Sequence, residues 1–228
     1  MKNIFEGQIE HFVFLLFLLI ITMKIIALFP GTLTGHIFGI SAYNYFLFAL
    51  IIPILHQVYV WLAWRLELHY QSLSRHIGRH AFMLFKVDFL ILFFLRPVSL
   101  LLLCLANKNT LAVPFSLSIT LAVLMLIPLA FLAFSVVKYF GVDRAVGKDH
   151  FDIEWTLEQP LIREGIFRLS PNAMYVFGFL FLYIIALLFR SQGGLIIALF
   201  NHIYIWLHYY FTERIDMRTI HDMAKSLK

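Results

Sequence analysis

Long apolar runs, almost free of charge, dominate this chain. Several extend for roughly 18 to 25 residues, about what a helix needs to cross a hydrocarbon core of ~30 Å. They predict spans at about 12–30, 37–64, 87–105, 114–137, 172–189 and 194–211. The expected fold class is an all-α integral membrane protein of about six transmembrane helices, with a cytoplasmic cap between spans four and five. No repeat relates one part of the chain to another, so residues 1–228 read as a single membrane domain.

The connections alternate in polarity. Those at 30–36, 106–113 and 190–193 are short and carry only Lys108 and Arg190. Lys24 and Arg96 lie inside spans, which leaves 14 of the 18 Lys and Arg for the tails and for the connections at 65–86 and 138–171. By the positive-inside rule both termini are expected to be cytoplasmic. Tyr59, Trp61 and Trp64 close the second span and Trp206, Tyr209 and Tyr210 the sixth, as aromatic belts on that same side would. The polar stretch from Lys138 to Pro171 mixes charges of both signs and is expected to form the cap.

Composition sharpens this picture. At 61% hydrophobic and 14% charged residues, with mean hydropathy +0.85, the chain holds more apolar surface than a soluble domain of its size could cover. The first apolar run follows Glu6 and Glu10 and precedes no small-residue cleavage pattern, so it reads as a span rather than a signal peptide. A single cysteine, Cys104, excludes an intrachain disulfide and a cysteine metal cluster. The net charge of +5 is not gathered into a compact basic domain, so no nucleic-acid partner is expected.

Candidate chemistry concentrates in the last hairpin. Ser170-Pro171 suits a helix start, where the serine oxygen can cap free amides and proline lacks only an N–H that would be unused. A helix opening there would present a partial positive charge to an anion, with Arg168 beside it. Asn172, Tyr175 and Phe179 would then share one face. After a turn at 191–194 the chain returns, so equal depths pair 170 with about 213 and 175 with about 208. On the returning helix His202, Trp206, Tyr209 and Glu213 are spaced four, three and four apart, a narrow polar stripe. Such a stripe is costly in a membrane unless it faces protein or a wet cavity, although aromatic and charged residues are also ordinary near an interface.

Gly165-Ile166-Phe167, Tyr175 ten residues after the glycine, the hairpin, and Glu213 resemble the C-terminal signature of the phospholipid and isoprenylcysteine methyltransferases over residues 160–222. The wording from Phe167 to Tyr175 and from Thr212 to Met217 is most similar to the phosphatidylethanolamine N-methyltransferase branch. Pro171-Asn172-Ala173 stands where that superfamily has Arg-His-Pro, and one glutamate stands where it often has two. The resemblance implies an integral-membrane enzyme that uses S-adenosylmethionine as methyl donor and a membrane lipid as substrate. It implies a donor site near Arg168, Ser170, Asn172, Tyr175, Trp206, Tyr209 and Glu213. The donor carries a sulfonium, an ammonium and a carboxylate, which an acidic side chain, aromatic faces and an anion-binding helix end would suit. An amine acceptor must lose a proton, and His202 and His208 are the candidate bases. An isoprenylcysteine carboxylate acceptor, or a non-catalytic scaffold or transporter, are the rival readings. No glycine-rich turn follows a strand, so the nucleotide fold of soluble methyltransferases is not expected.

Outside the hairpin, Gly31, Gly35 and Gly39 read as a small-residue repeat for close helix packing at the start of the second span. His69, His76 and His80 have no carboxylate at metal-ligand spacing. The basic segment 65–86, with Arg65, Arg75, Arg79 and Lys86, is expected on the bilayer surface among anionic headgroups. Asp88 and Arg96, two helical turns apart in the third span, each require a partner on another helix or a route to water.

Overall fold

The computed structural model describes residues 4–226, and it is 82% helical. Five helices among the described residues are long and apolar enough to cross a membrane: Gln8–Leu28, Ala42–Tyr70, Ser72–Ala106, Phe115–Phe140 and Gln192–Met223. A sixth apolar segment, Ala173–Leu188, is shorter. The chain is thus an all-α, multi-pass integral membrane protein.

In chain order the elements are α1 (Gln8–Leu28), strands β1 (His36–Ile37) and β2 (Ile40–Ser41), α2 (Ala42–Tyr70), α3 (Ser72–Ile77) and α4 (Ala81–Ala106). There follow α5 (Phe115–Ser135), α6 (Val142–Ala145), α7 (Ile153–Glu158), α8 (Ala173–Phe177), α9 (Leu180–Leu188), α10 (Gln192–His208) and α11 (Arg214–Ser226). A π-helical turn, Val136–Phe140, prolongs α5, and another, Tyr209–Glu213, joins α10 to α11.

Three expectations change here. The second span begins at Ala42 rather than 37, because Gly35 and Gly39 take positive φ around a two-stranded antiparallel hairpin. Gly35 and Gly39 therefore serve turns, and of the three glycines only Gly35 also permits a close approach, a Cβ there coming 2.1 Å from the Ala106 carbonyl at the end of α4. Trp61 and Trp64 do not face lipid: α2 is the central helix, and their rings are buried inside it, with Trp61 Nε1 donating to the Ile4 carbonyl at 2.9 Å. Segment 65–86 is not one surface strip. Arg65 extends α2 into the interior and is fully buried, whereas Arg75 and Arg79 on the α3 turn are exposed.

The three short connections converge on one buried side chain. Asn107 donates to the Thr32 and Thr34 carbonyls at 2.8 and 2.9 Å, and its own oxygen accepts from Ser191 Oγ at 2.8 Å and Gly193 N at 3.0 Å. One amide of the second loop thus satisfies backbone groups of the other two, as a buried site requires.

At the opposite end the cap folds over the bundle. Val146 packs with Val60, Trp64 and Phe85, while Ile166 and Phe167 pack with Leu132 and Ala173. Gly147 (φ +97°) lies flat on the Trp64 ring, and a Cβ there would come 2.4 Å from it. Only glycine permits that contact. Below it, Arg65 Nε meets Asp216 Oδ1 of α11 at 2.8 Å, both groups being almost fully buried. Arg65 Nη1 also donates to the carbonyls of Ile4 and Glu6, at 2.9 and 2.6 Å. The N-terminal segment, α2 and α11 are therefore held at one point, and Asp216 Oδ2 approaches His150 of the cap at 3.6 Å.

Candidate active site

The fifth span is broken. Gly178 N closes α8 on the Met174 carbonyl at 2.9 Å, and a new helix, α9, starts after Phe179. The expected helix start at Ser170-Pro171 is also displaced: Ser170 Oγ accepts only from Asn172 N, at 3.2 Å, and the five-residue α8 begins at Ala173. Burial of Ile166 and Phe167 fixes the chain as a 3-10 turn, Gly165–Arg168, just before it. Such a short helix has little dipole, so the anion-binding helix end is not present. Arg168 points away and is exposed.

The depth pairing shifts accordingly. The Tyr175 carbonyl accepts from His202 Nε2 at 2.8 Å, so residue 175 sits nearer the level of 202 than of 208. The phenol nevertheless reaches down the returning helix, where its hydroxyl donates to Glu213 Oε2. The Tyr175 ring rests against Trp206 and Tyr209, with centroids 5.7 and 5.0 Å apart. The π-helical turn Tyr209–Glu213 contributes to this geometry. It adds a residue to the turn and so re-aims the side chains beyond it, a device common at functional sites. It also frees the Phe211 carbonyl, which accepts from Gln8 Nε2 at 3.1 Å, while Gln8 donates as well to buried Thr212.

A cavity of about 670 Å³ opens beside this pair. That is within the range of small-molecule sites, roughly 300–1,000 Å³. Tyr175 and Glu213 line it, and so does His208, which is 1% exposed with neither ring nitrogen hydrogen-bonded. Arg168, Ser170, Asn172, Trp206, Tyr209 and His202 do not line it. Trp206 and Tyr209 support Tyr175 from behind, and His202, committed to the Tyr175 carbonyl, stacks on Phe179 at 5.9 Å. Of the two candidate bases, His208 is the one that faces the cavity.

Other lining residues come from elsewhere. Arg144, Asp149 and His150 of the cap form part of the wall, with His150 stacked on Trp64 at 4.0 Å. His56 of α2 and Arg96 of α4 line it as well. Asp149 and His150 had no sequence signal, since they lie in a mixed-charge stretch far from the hairpin. His56 and Arg96 had a weak one, being polar within apolar runs.

Residues 117–223 match the phospholipid methyltransferase family model. The match covers the whole Tyr175–Glu213 hairpin and begins at 117, upstream of the expected 160, so that it includes α5 and the cap. It bears out the resemblance read from the sequence and supports a membrane phospholipid methyltransferase, an enzyme class that implies a methyl donor. No curated protein and no solved structure matches the chain. The site lies between membrane helices and a polar cap.

Proposed function

We propose that this chain transfers a methyl group from S-adenosylmethionine to the headgroup amine of phosphatidylethanolamine, at the cytoplasmic face, with both termini on that side. The observation that carries the reading is the Tyr175–Glu213 pair on the wall of a lipid-facing cavity, inside the segment that matches the family.

When bound, the donor supplies an electrophilic methyl group on a sulfonium centre. The residues present suit such a cation. Glu213 and Asp149 offer two carboxylates on one wall, and Tyr175 and Trp64 offer aromatic rings. Tyr175 fixes the Glu213 carboxylate by its hydroxyl, and Trp206 and Tyr209 hold the Tyr175 ring in place as positioning residues. Because neither nitrogen of His208 is engaged within the protein, its imidazole is free to take a proton from the acceptor ammonium. The cap, seated through Gly147 on Trp64, keeps water from the reacting groups, so positioning and shielding supply most of the catalysis.

Replacing Glu213 with alanine is expected to abolish S-adenosylmethionine binding in calorimetry while thermal unfolding of the purified protein stays unchanged. Retained affinity removes Glu213 from the site. Lipid mass spectrometry of membranes carrying the wild-type chain should reveal N-methylated ethanolamine headgroups. Methyl esters of an isoprenylcysteine in their place would reassign the acceptor.

A further inference from the structure

The cavity that Glu213 lines also holds two buried donors with no acceptor among the described residues. Arg96 is 3% exposed, and its Nε donates to His56 Nδ1 at 3.1 Å. That bond uses the lone pair of Nδ1, so a neutral His56 carries its hydrogen on Nε2. His56 Nε2 and Arg96 Nη2 then both present hydrogens, and neither meets an acceptor among the described residues. Among the described residues no carboxylate pairs with Arg96. Its other contact is the face of Phe179, 5.5 Å from the guanidinium carbon. Leaving a buried guanidinium half satisfied is expensive, as is any buried donor without an acceptor. Both side chains line the same cavity as Glu213.

The same cavity communicates with the bilayer. Helices α4 and α5 both pack on α9 and touch each other little. Between them, Phe94 and Val137 belong to the cavity wall yet are 60% and 74% exposed on the outer surface of the bundle. An occupant that brings an anion to Arg96 therefore has an apolar slot through which a chain can pass into lipid.

We propose that Arg96 and His56 form a phosphate-binding subsite that takes the phosphodiester of a membrane phospholipid whose acyl chains leave between α4 and α5. This rests on the methyltransferase reading and extends it. The lipid's anion is held by the half of the chain outside the family match, and its amine is directed toward His208. Arg96 binds substrate through charge-assisted hydrogen bonds, for which a planar fork of donors is suited. His56 positions that fork through Nε and adds one donor of its own.

The test uses the full chain purified in nanodiscs. Dodecyl phosphate, which has the anion and a chain but no amine, is titrated into wild type by calorimetry, a readout that needs no turnover and survives failure of the methyltransferase reading. It should bind, and Arg96→Gln should weaken it at least about tenfold, with Arg96→Lys intermediate. If the enzyme turns over dioleoyl phosphatidylethanolamine, dodecyl phosphate should compete with the lipid and not with the methyl donor. Arg96→Gln should raise the lipid KM at least about tenfold and leave donor affinity within about twofold. Should Arg96→Gln not fold, binding and competition in wild type decide alone. Three results overturn the proposal. One is no binding of dodecyl phosphate. Another is inorganic phosphate binding as tightly as dodecyl phosphate, which makes the occupant a free anion. The third is loss of donor affinity in Arg96→Gln, which gives the subsite to the donor's own carboxylate.

Discussion

The two halves of this molecule divide the site unequally. Residues 117–223 match a methyltransferase family and contribute Tyr175, His208 and Glu213, while the preceding residues lie outside the match and contribute His56, Trp64 and Arg96. The unmatched half nevertheless holds the most buried of the long helices: 56% of the apolar window of α2 is buried, against 17% for the helix that begins with α5. What the comparison teaches is a separation of tasks. On the proposed reading, the matched half would bring the groups suited to a cationic donor and the unmatched half the wall that meets the acceptor.

The strongest way to break that comparison is to cut the tie between the halves. Asp216→Ala leaves the Arg65 guanidinium buried without its carboxylate, and a lost buried partner typically costs about 3–5 kcal/mol. Denaturant titration of the purified chain should show a loss of that size. A cost under about 1 kcal/mol would mean that this ion pair does not hold the halves together. Gly147→Ala comes next. Its Cβ would lie 2.4 Å from the Trp64 ring at φ +97°, so the cap should lift at a cost of about 1–3 kcal/mol, read as faster limited proteolysis between α5 and α8.

Two smaller effects sharpen the division within the matched half. Tyr175→Phe deletes one hydrogen bond to a carboxylate and keeps the ring, so donor affinity should fall about tenfold in calorimetry while stability changes little. An unchanged affinity would show that Glu213 needs no positioning. Arg168→Ala, exposed and outside the cavity wall, should alter donor affinity by less than about twofold. A larger loss would bring the segment before α8 back into the site.

Periodicity and length made the long helices legible, because a lipid-crossing run leaves an unmistakable apolar stretch. The meeting of Tyr175 and Glu213 was legible as well, since a hairpin with a short turn brings its arms together. Local departures from ideal helix were not. Gly178 is a weak helix former, but one glycine does not fix where a helix breaks, and nothing in Tyr209–Glu213 announces a π turn. Ser170, Asn172 and His202 lie off the cavity wall. Trp64 was misplaced for a related reason: an aromatic near a helix end looks alike whether it meets headgroups or a cap, and only the fold over Gly147 distinguishes them. Arg96 was visible as an anomaly, but its partner His56 lies forty residues away.

The short fifth crossing bears on how the bilayer meets the protein. Ala173–Leu188 rises only about 24 Å, against a hydrocarbon thickness of ~30 Å. Such hydrophobic mismatch is relieved by local thinning of the leaflet, at a fraction of a kcal/mol per ångström. That relief needs lipid against the short crossing, yet of its residues only Leu188 is exposed. Because α9 packs on α4, α5 and α10 instead, the longer helices around it carry the full thickness of the bilayer and shelter the short one.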